Sequence, residues 1–179
     1  VFFSSTLRTA GFATFDFSAL KASTLVIAMV MMFIGGGSGS TAGGIKVSTA
    51  ALLFFAVRSA LFGRKKVTIG KKTVSSSTVL QAAGLFITML FIVLLSGIII
   101  SEVDGVPLLS ALFETFSATG TVGLTVGITP TLSAFSLWLL ATLMFFGRVG
   151  ILTVIFALSV KVKKNDELIS YPETKYTVG

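Results

Sequence analysis

The chain has 179 residues, of which 54% are hydrophobic and only 12% charged, and it carries a net charge of +7. So little polar side chain cannot cover a water-soluble domain of this size, so the composition reads as an all-α, multi-pass membrane protein, each span needing about 20 apolar residues. Cys and His are both absent, which excludes disulfide and thiolate chemistry, imidazole metal ligands and a histidine general base within this chain.

Val1 to Phe12 reads as the end of an element whose start is missing: a short helical piece followed by Thr9-Ala10-Gly11-Phe12. A first apolar tract, Leu20 to Ile34, is broken by Gly35-Gly36-Gly37-Ser38-Gly39-Ser40-Thr41-Ala42-Gly43-Gly44 and resumes from Ile45 to about Phe62. Arg58, Arg64, Lys65, Lys66, Lys71 and Lys72 follow as a basic cluster. Thr78 to Ile100 is an uninterrupted span. After Glu102 and Asp104, Pro107 to Ala118 predicts a short helix with Pro107 in its first turn and Ser101 and Asp104 as upstream caps. A dozen residues are too few to cross a bilayer. Thr121-Val122-Gly123-Leu124 comes next, then a third apolar tract from about Leu132 to Val160, and then Lys161, Lys163 and Lys164.

Two phrases recur at one spacing. Thr9-Ala10-Gly11-Phe12 returns as Thr121-Val122-Gly123-Leu124, and Met32-Phe33-Ile34-Gly35 returns as Met144-Phe145-Phe146-Gly147, both 112 residues further on. A shared register predicts a duplicated unit. Both basic clusters directly follow apolar runs, where the positive-inside bias places Lys and Arg on the cytoplasmic side, so they point to topology and not to nucleic acid. Anionic lipid heads or an acidic partner are the alternative use of these clusters. With both clusters inside, the Thr78–Ile100 tract goes out and the third comes back, so 107–131 must enter and leave on one side as a re-entrant loop. Residues 1–62 then hold a filter segment and an interrupted inner helix, and 63–77 form a cytoplasmic connection. Residues 78–160 make a complete span, pore helix, filter and span, and 161–179 form a cytoplasmic tail. The two units share one orientation.

Non-helical backbone at membrane depth survives only where protein buries it or water lines it. Carbonyls turned inward by a glycine after a re-entrant helix are the ingredients of a cation filter. Thr9, Gly11, Thr121 and Gly123 are therefore the candidate ligands, with Ala10, Phe12, Val122 and Leu124 completing the two segments. The same pattern also suits ordinary loops joining helices near the surface. Gly37-Ser38-Gly39-Ser40-Thr41-Ala42 fits a dinucleotide fingerprint, but that motif needs a preceding strand and an acid about 20 residues later. Here an apolar tract precedes, and the next acid after Asp16 is Glu102. A nucleotide-dependent membrane enzyme is the rival this disfavours, so no enzymatic activity is expected. Residues 35–44 read better as a flexible break facing a wet cavity. Arg148, deep in the third tract, costs at least about 2.5–3.5 kcal/mol to bury in lipid, so it should face a cavity or a carbonyl partner. Lys46 suits a functional and a stop-like role equally. Glu114, in the short helix, serves either to hold that helix or to attract cations, the structural role being the better fit.

At these residues the chain resembles the Ktr/Trk/HKT superfamily of potassium and sodium transporters, most of all the membrane subunits of bacterial Ktr systems. Met32 to Lys46 resembles the family's third-repeat segment, Ser117 to Leu124 its fourth filter, and Met144 to Gly150 its fourth inner helix. The resemblance implies one pore built from four covalently linked span–pore-loop–span repeats, of which this chain matches the third and fourth. It implies K⁺ as the transported ion at Thr9, Gly11, Thr121 and Gly123, with Na⁺ coupling or a Na⁺-preferring relative as the alternative, and no organic cofactor in this chain. It further implies that residues 35–44, with Lys46 and Arg148, form an intramembrane gate. The partners it implies are a second copy as homodimer, a cytosolic ring of nucleotide-binding RCK subunits through which ATP or ADP would act, and the lipid of the bacterial cell membrane.

Overall fold

A computed structural model describes residues 2–13, 17–37, 42–63, 67–69 and 72–150. Six helices account for most of them: α1 (Phe2–Thr6), α2 (Ala22–Phe33), α3 (Val47–Leu61), α4 (Ser76–Asp104), α5 (Leu108–Thr119) and α6 (Ala134–Val149). Strands β1 (Val67–Ile69) and β2 (Lys72–Val74) pair antiparallel, Val67 opposite Val74 and Thr68 opposite Thr73.

The helix α4 is the one described helix long and apolar enough to cross a bilayer alone. Its 29 residues extend about 43 Å, against a hydrocarbon thickness of about 30 Å. The Ser75 hydroxyl accepts from the Thr78 amide at its start, and Gly105 ends it in the left-handed conformation, φ 64°. One stripe of α4 is buried, Ala82, Met89, Val93, Ser96, Gly97 and Ile100, at helical spacing. Leu80, Ile87, Phe91 and Ile98 lie exposed on the rest. A helix apolar all round with only one stripe covered suits a lipid solvent. Small residues bring its neighbour close: a Cβ on Gly97 would lie 2.5 Å from Leu112 of α5.

The 12-residue α5 is the axis of the packing, contacted by α2, α4 and α6, and Phe113 to Gly120 are buried without interruption. Phe113 and Phe116 join Met29, Met32, Phe33, Met89, Val93, Val122 and Leu124 in one core cluster. At about 18 Å, α5 is too short to span, as the sequence predicts. Its capping differs from expectation. Pro107 stands at the N-cap with no side-chain cap, and the Ser101 hydroxyl donates instead to the Val106 carbonyl at 2.8 Å. Asp104 serves another helix: the Ser133 amide donates to its Oδ1 at 3.0 Å, tying the end of α4 to the start of α6. The Ser133 hydroxyl in turn accepts from the Ser136 amide.

The first apolar tract is broken where the Gly/Ser stretch predicts, giving α2 and α3. The break is closed at its neck. Ile34 and Ile45 form a parallel bridge. The Gly35 amide donates to the Ile45 carbonyl at 2.8 Å, Ile45 to Phe33 at 3.0 Å and Val47 to Gly36 at 3.2 Å. Much of the hydrogen bonding lost by leaving the helix is therefore recovered across the loop. Between α3 and α4, where a plain basic connection is expected, the β1–β2 hairpin packs on α3. The predicted end of the third apolar tract, 151–160, and the tail 161–179 lie outside the described residues, as do Arg64, Lys65, Lys66 and Lys71.

Candidate functional site

The two Thr-X-Gly segments have the same unusual backbone. Thr9 and Thr121 have φ of 63° and 52°, the two non-glycine residues with positive φ among those described. Gly11 and Gly123 follow with φ of 69° and 86°. For a β-branched residue the left-handed region is disfavoured by roughly 1–2 kcal/mol, so threonine held there twice at matched positions is an outlier to explain by function. Each segment leaves the C-terminal end of a short helix, α1 or α5. Along an ordinary strand successive carbonyls point to opposite sides. The positive φ at Thr and at Gly takes both segments out of that alternation.

The segments meet each other. A Cβ on Gly11 would fall 2.1 Å from the Val122 carbonyl oxygen, so only glycine allows this approach. Val122 and Leu124 are buried, whereas Phe12 is 71% exposed and Gly123 has open space where a Cβ would stand. The Thr6 hydroxyl donates to the Phe12 carbonyl at 2.6 Å, fixing the first segment after its turn. In the second, Glu114 of α5 does this work. Its Oε1 accepts from the Thr125 hydroxyl and from the Val126 amide at 3.2 Å, and Oε2 accepts from the Thr129 hydroxyl at 3.1 Å. Both carboxylate oxygens are thus engaged with residues 125–129, after the second Thr-X-Gly segment, which fits a structural role for Glu114; Thr125 and Thr129, its partners, carry no sequence signal of their own.

Neither threonine hydroxyl stands idle. Thr9 donates to the Arg8 carbonyl at 2.7 Å, and Thr121 accepts from the Gly43 amide at 3.2 Å. The second contact brings the Gly/Ser stretch against the second Thr-X-Gly segment. Gly44, at φ 74°, packs so that a Cβ would lie 3.6 Å from the Gly120 Cα. On the other side, a Cβ on Gly147 of α6 would meet the Thr119 carbonyl oxygen at 2.0 Å. Residues 119–121 are therefore flanked by the loop and by α6, and Arg148 follows Gly147 directly. Arg148 is exposed in this chain, and Lys46 stands at the N-cap of α3. Of the predicted gate residues, Gly35, Gly36, Gly37, Ala42, Gly43 and Gly44 are described, while Ser38, Gly39, Ser40 and Thr41 lie outside the described residues. The helix α2, not a strand, precedes the glycines, so the setting a dinucleotide fingerprint requires is missing.

A family model described as "TrkH: Cation transport protein" matches residues 1–169. The chain is 38% identical to Ktr system potassium uptake protein B of Bacillus subtilis, over 97% of this chain and 38% of that protein. It is 37% identical to potassium/sodium uptake protein NtpJ of Enterococcus hirae, over 99% of this chain and 40% of that protein. Trk system potassium uptake protein TrkH of Halomonas elongata is 31% identical over 84% of this chain and 33% of that protein. The chain spans about two fifths of the length of the first two relatives.

Proposed function

This chain belongs to the TrkH family of cation transport proteins, and we propose that it forms part of the wall of a pore through which K⁺ enters the cell down its electrochemical gradient. The observation that carries this reading is the pair of Thr-X-Gly segments, alike in φ and touching at Gly11 and Val122. Carbonyls of Thr9, Gly11, Thr121 and Gly123 would replace part of the ion's hydration shell. The C-terminal end of α5, where the peptide dipoles leave partial negative charge, lies immediately before the second segment and favours a cation there. One glycine per segment supplies one short ring of carbonyls, so discrimination between K⁺ and Na⁺ should be modest. The name of the Enterococcus hirae relative, a potassium/sodium uptake protein, favours a second reading in which Na⁺ is also carried or coupled.

In this reading residues 1–62 and 78–160 belong to two successive repeats of one orientation, with 63–77 cytoplasmic between them. The matched spacing of 112 residues and the matched backbone angles support it. The loop 35–44 and Arg148 stand below the filter as obstacles to the ion, one steric and one electrostatic. The remaining pore wall comes from the other part of the pore, a second copy packs alongside as homodimer, and a cytosolic nucleotide-binding ring regulates the assembly in the bacterial cell membrane. The names of the Ktr-system relatives support partnership with other components. The test is K⁺ uptake and growth rescue by the complete transporter in a bacterium without its own uptake systems, wild type against Gly123→Ser. Altered K⁺/Na⁺ preference at normal expression is expected. An unchanged ratio would remove the filter assignment.

A further inference from the structure

The two filter threonines differ in what holds them. Thr9 is tied within its own segment, to Arg8, whereas Thr121 is tied across 78 residues of sequence to Gly43 in the returning limb of the Gly/Ser loop. The contact leaves no slack. A Cβ on Gly43 would lie 2.6 Å from the Thr121 hydroxyl oxygen, 2.7 Å from its methyl carbon and 3.1 Å from the Gly120 carbonyl oxygen. A Cβ on Gly120 would lie 2.7 Å from the carbonyl oxygen of Met32, in the last turn of α2. Backbone therefore rests on backbone over Met32, Gly43, Gly44 and Gly120, and the Thr121 side chain joins the loop to the second segment. The limb is itself fixed to α2 by the Ile34–Ile45 bridge, so a shift of residues 42–44 cannot dissipate within the loop.

We infer that Thr121 is a positioning residue through which the Gly/Ser loop sets the geometry of the second filter segment, so that ion discrimination and loop position are coupled. Thr121 has a φ of 52°, a conformation β-branched residues seldom hold unaided, and the Gly43 amide is one of the bonds that keeps it there. When the loop moves, the Thr121 hydroxyl loses its donor, and the segment keeps only its backbone tie to α5, from the Thr121 amide to Ala118 at 3.0 Å and from the Val122 amide to Ser117 at 2.9 Å. The first segment has its own hydrogen bonds, from Thr6 to Phe12 and from Thr9 to Arg8, and meets the second at Gly11 and Val122. The inference rests on the pore reading above, and it adds to that reading that opening and selecting are not independent acts.

The experiment is a double-mutant cycle in the complete transporter, reading the ratio of apparent KM for K⁺ and Na⁺ uptake together with maximal rate. Thr121→Val keeps the shape and removes the hydroxyl; Gly43→Ala pushes the loop off it. Each should lower K⁺/Na⁺ discrimination about three- to tenfold, the span expected for one neutral hydrogen bond. The double variant should lose no more than either single one, while Thr9→Val combined with Gly43→Ala should multiply. Thr121→Ser should recover most of what Thr121→Val loses, which a purely volumetric role would not predict. If Gly123→Ser shifts the ratio but Gly43→Ala leaves it unchanged, the pore reading stands and the coupling is overturned. If neither shifts it, the pore reading falls and takes the coupling with it. Should Thr121→Val fail to reach the membrane, Gly43→Ala and Thr121→Ser decide the question by the same ratio.

Discussion

At the scale of single residues, the glycines of the two Thr-X-Gly segments are not equivalent, although the sequence writes them alike. Gly11 faces the Val122 carbonyl with no room for a methyl group, while Gly123 opens onto free space. Gly11→Ala must therefore separate the two segments, and it should abolish K⁺ uptake with reduced yield of folded protein in detergent. Gly123→Ala carries only the strain of φ 86°, roughly 1–2 kcal/mol, and should fold while transporting with altered preference; equal loss of folded protein in both variants would contradict this difference. Glu114 offers a second comparison. Replacing it by Ala leaves the buried Val126 amide unpaired, a loss of about 1–3 kcal/mol. Glu114→Gln keeps a carbonyl oxygen for Thr125 and Val126. Uptake within about twofold of wild type for Gln, with clear thermal destabilisation for Ala, is expected from a holding role. Loss of uptake at low salt in Gln with normal stability would instead indicate a charge that draws in cations.

Among elements, apolar length and glycine spacing made α2, α4, α5 and the break at 35–44 legible, because each has a local cause in the chain. The misses have tertiary causes. Ser101 and Asp104 look like caps for α5, yet the fold brings the α6 terminus within reach of Asp104, and that partner wins. The Ile34–Ile45 bridge joins residues whose pairing leaves no local pattern, so the loop reads from sequence as freer than it is. The hairpin could have been found: Val67-Thr68-Ile69 and Thr73-Val74 are β-branched runs on either side of a link containing Gly70. The closed neck sharpens what shortening the loop should do. Removing residues 38–41 leaves the bonds at Gly35, Gly36, Ile45 and Val47 available, so the shortened protein should insert, carry K⁺ faster and depend less on its cytosolic partner. Arg148→Ala should act in the same direction by lowering the electrostatic barrier, and the pair should fall short of multiplying if the two obstacles touch. Uptake no faster than the parent, at normal insertion, would make the segment a helix interruption only.

For the molecule as a whole, the orientation in the membrane is the premise on which both re-entrant segments depend. The helix α4 links two chemically distinct ends about 43 Å apart. At one end Glu102 and Asp104 close the helix; at the other stands the hairpin, inside a connection carrying Arg64, Lys65, Lys66, Lys71 and Lys72. Only the basic end is read by the insertion machinery, since acidic residues contribute little to orientation, so the hairpin should be cytoplasmic and Glu102 external. The α5 axis then starts on the outer side, descends 12 residues, and the Thr-X-Gly segment climbs back, because α6 also starts beside Asp104. These 179 residues hold no cysteine, so each replacement introduces the one thiol among them. Thr73, exposed on β2, and Glu102, exposed near the end of α4, are suitable positions. Thr73→Cys should react with a membrane-impermeant maleimide only after the cells are permeabilised, and Glu102→Cys in intact cells. The reverse pattern would invert α4 and put the filter segments on the cytoplasmic side. An ion entering from outside would then meet the Gly/Ser loop before any ring of carbonyls, and neither the filter nor the gate could work in the order proposed.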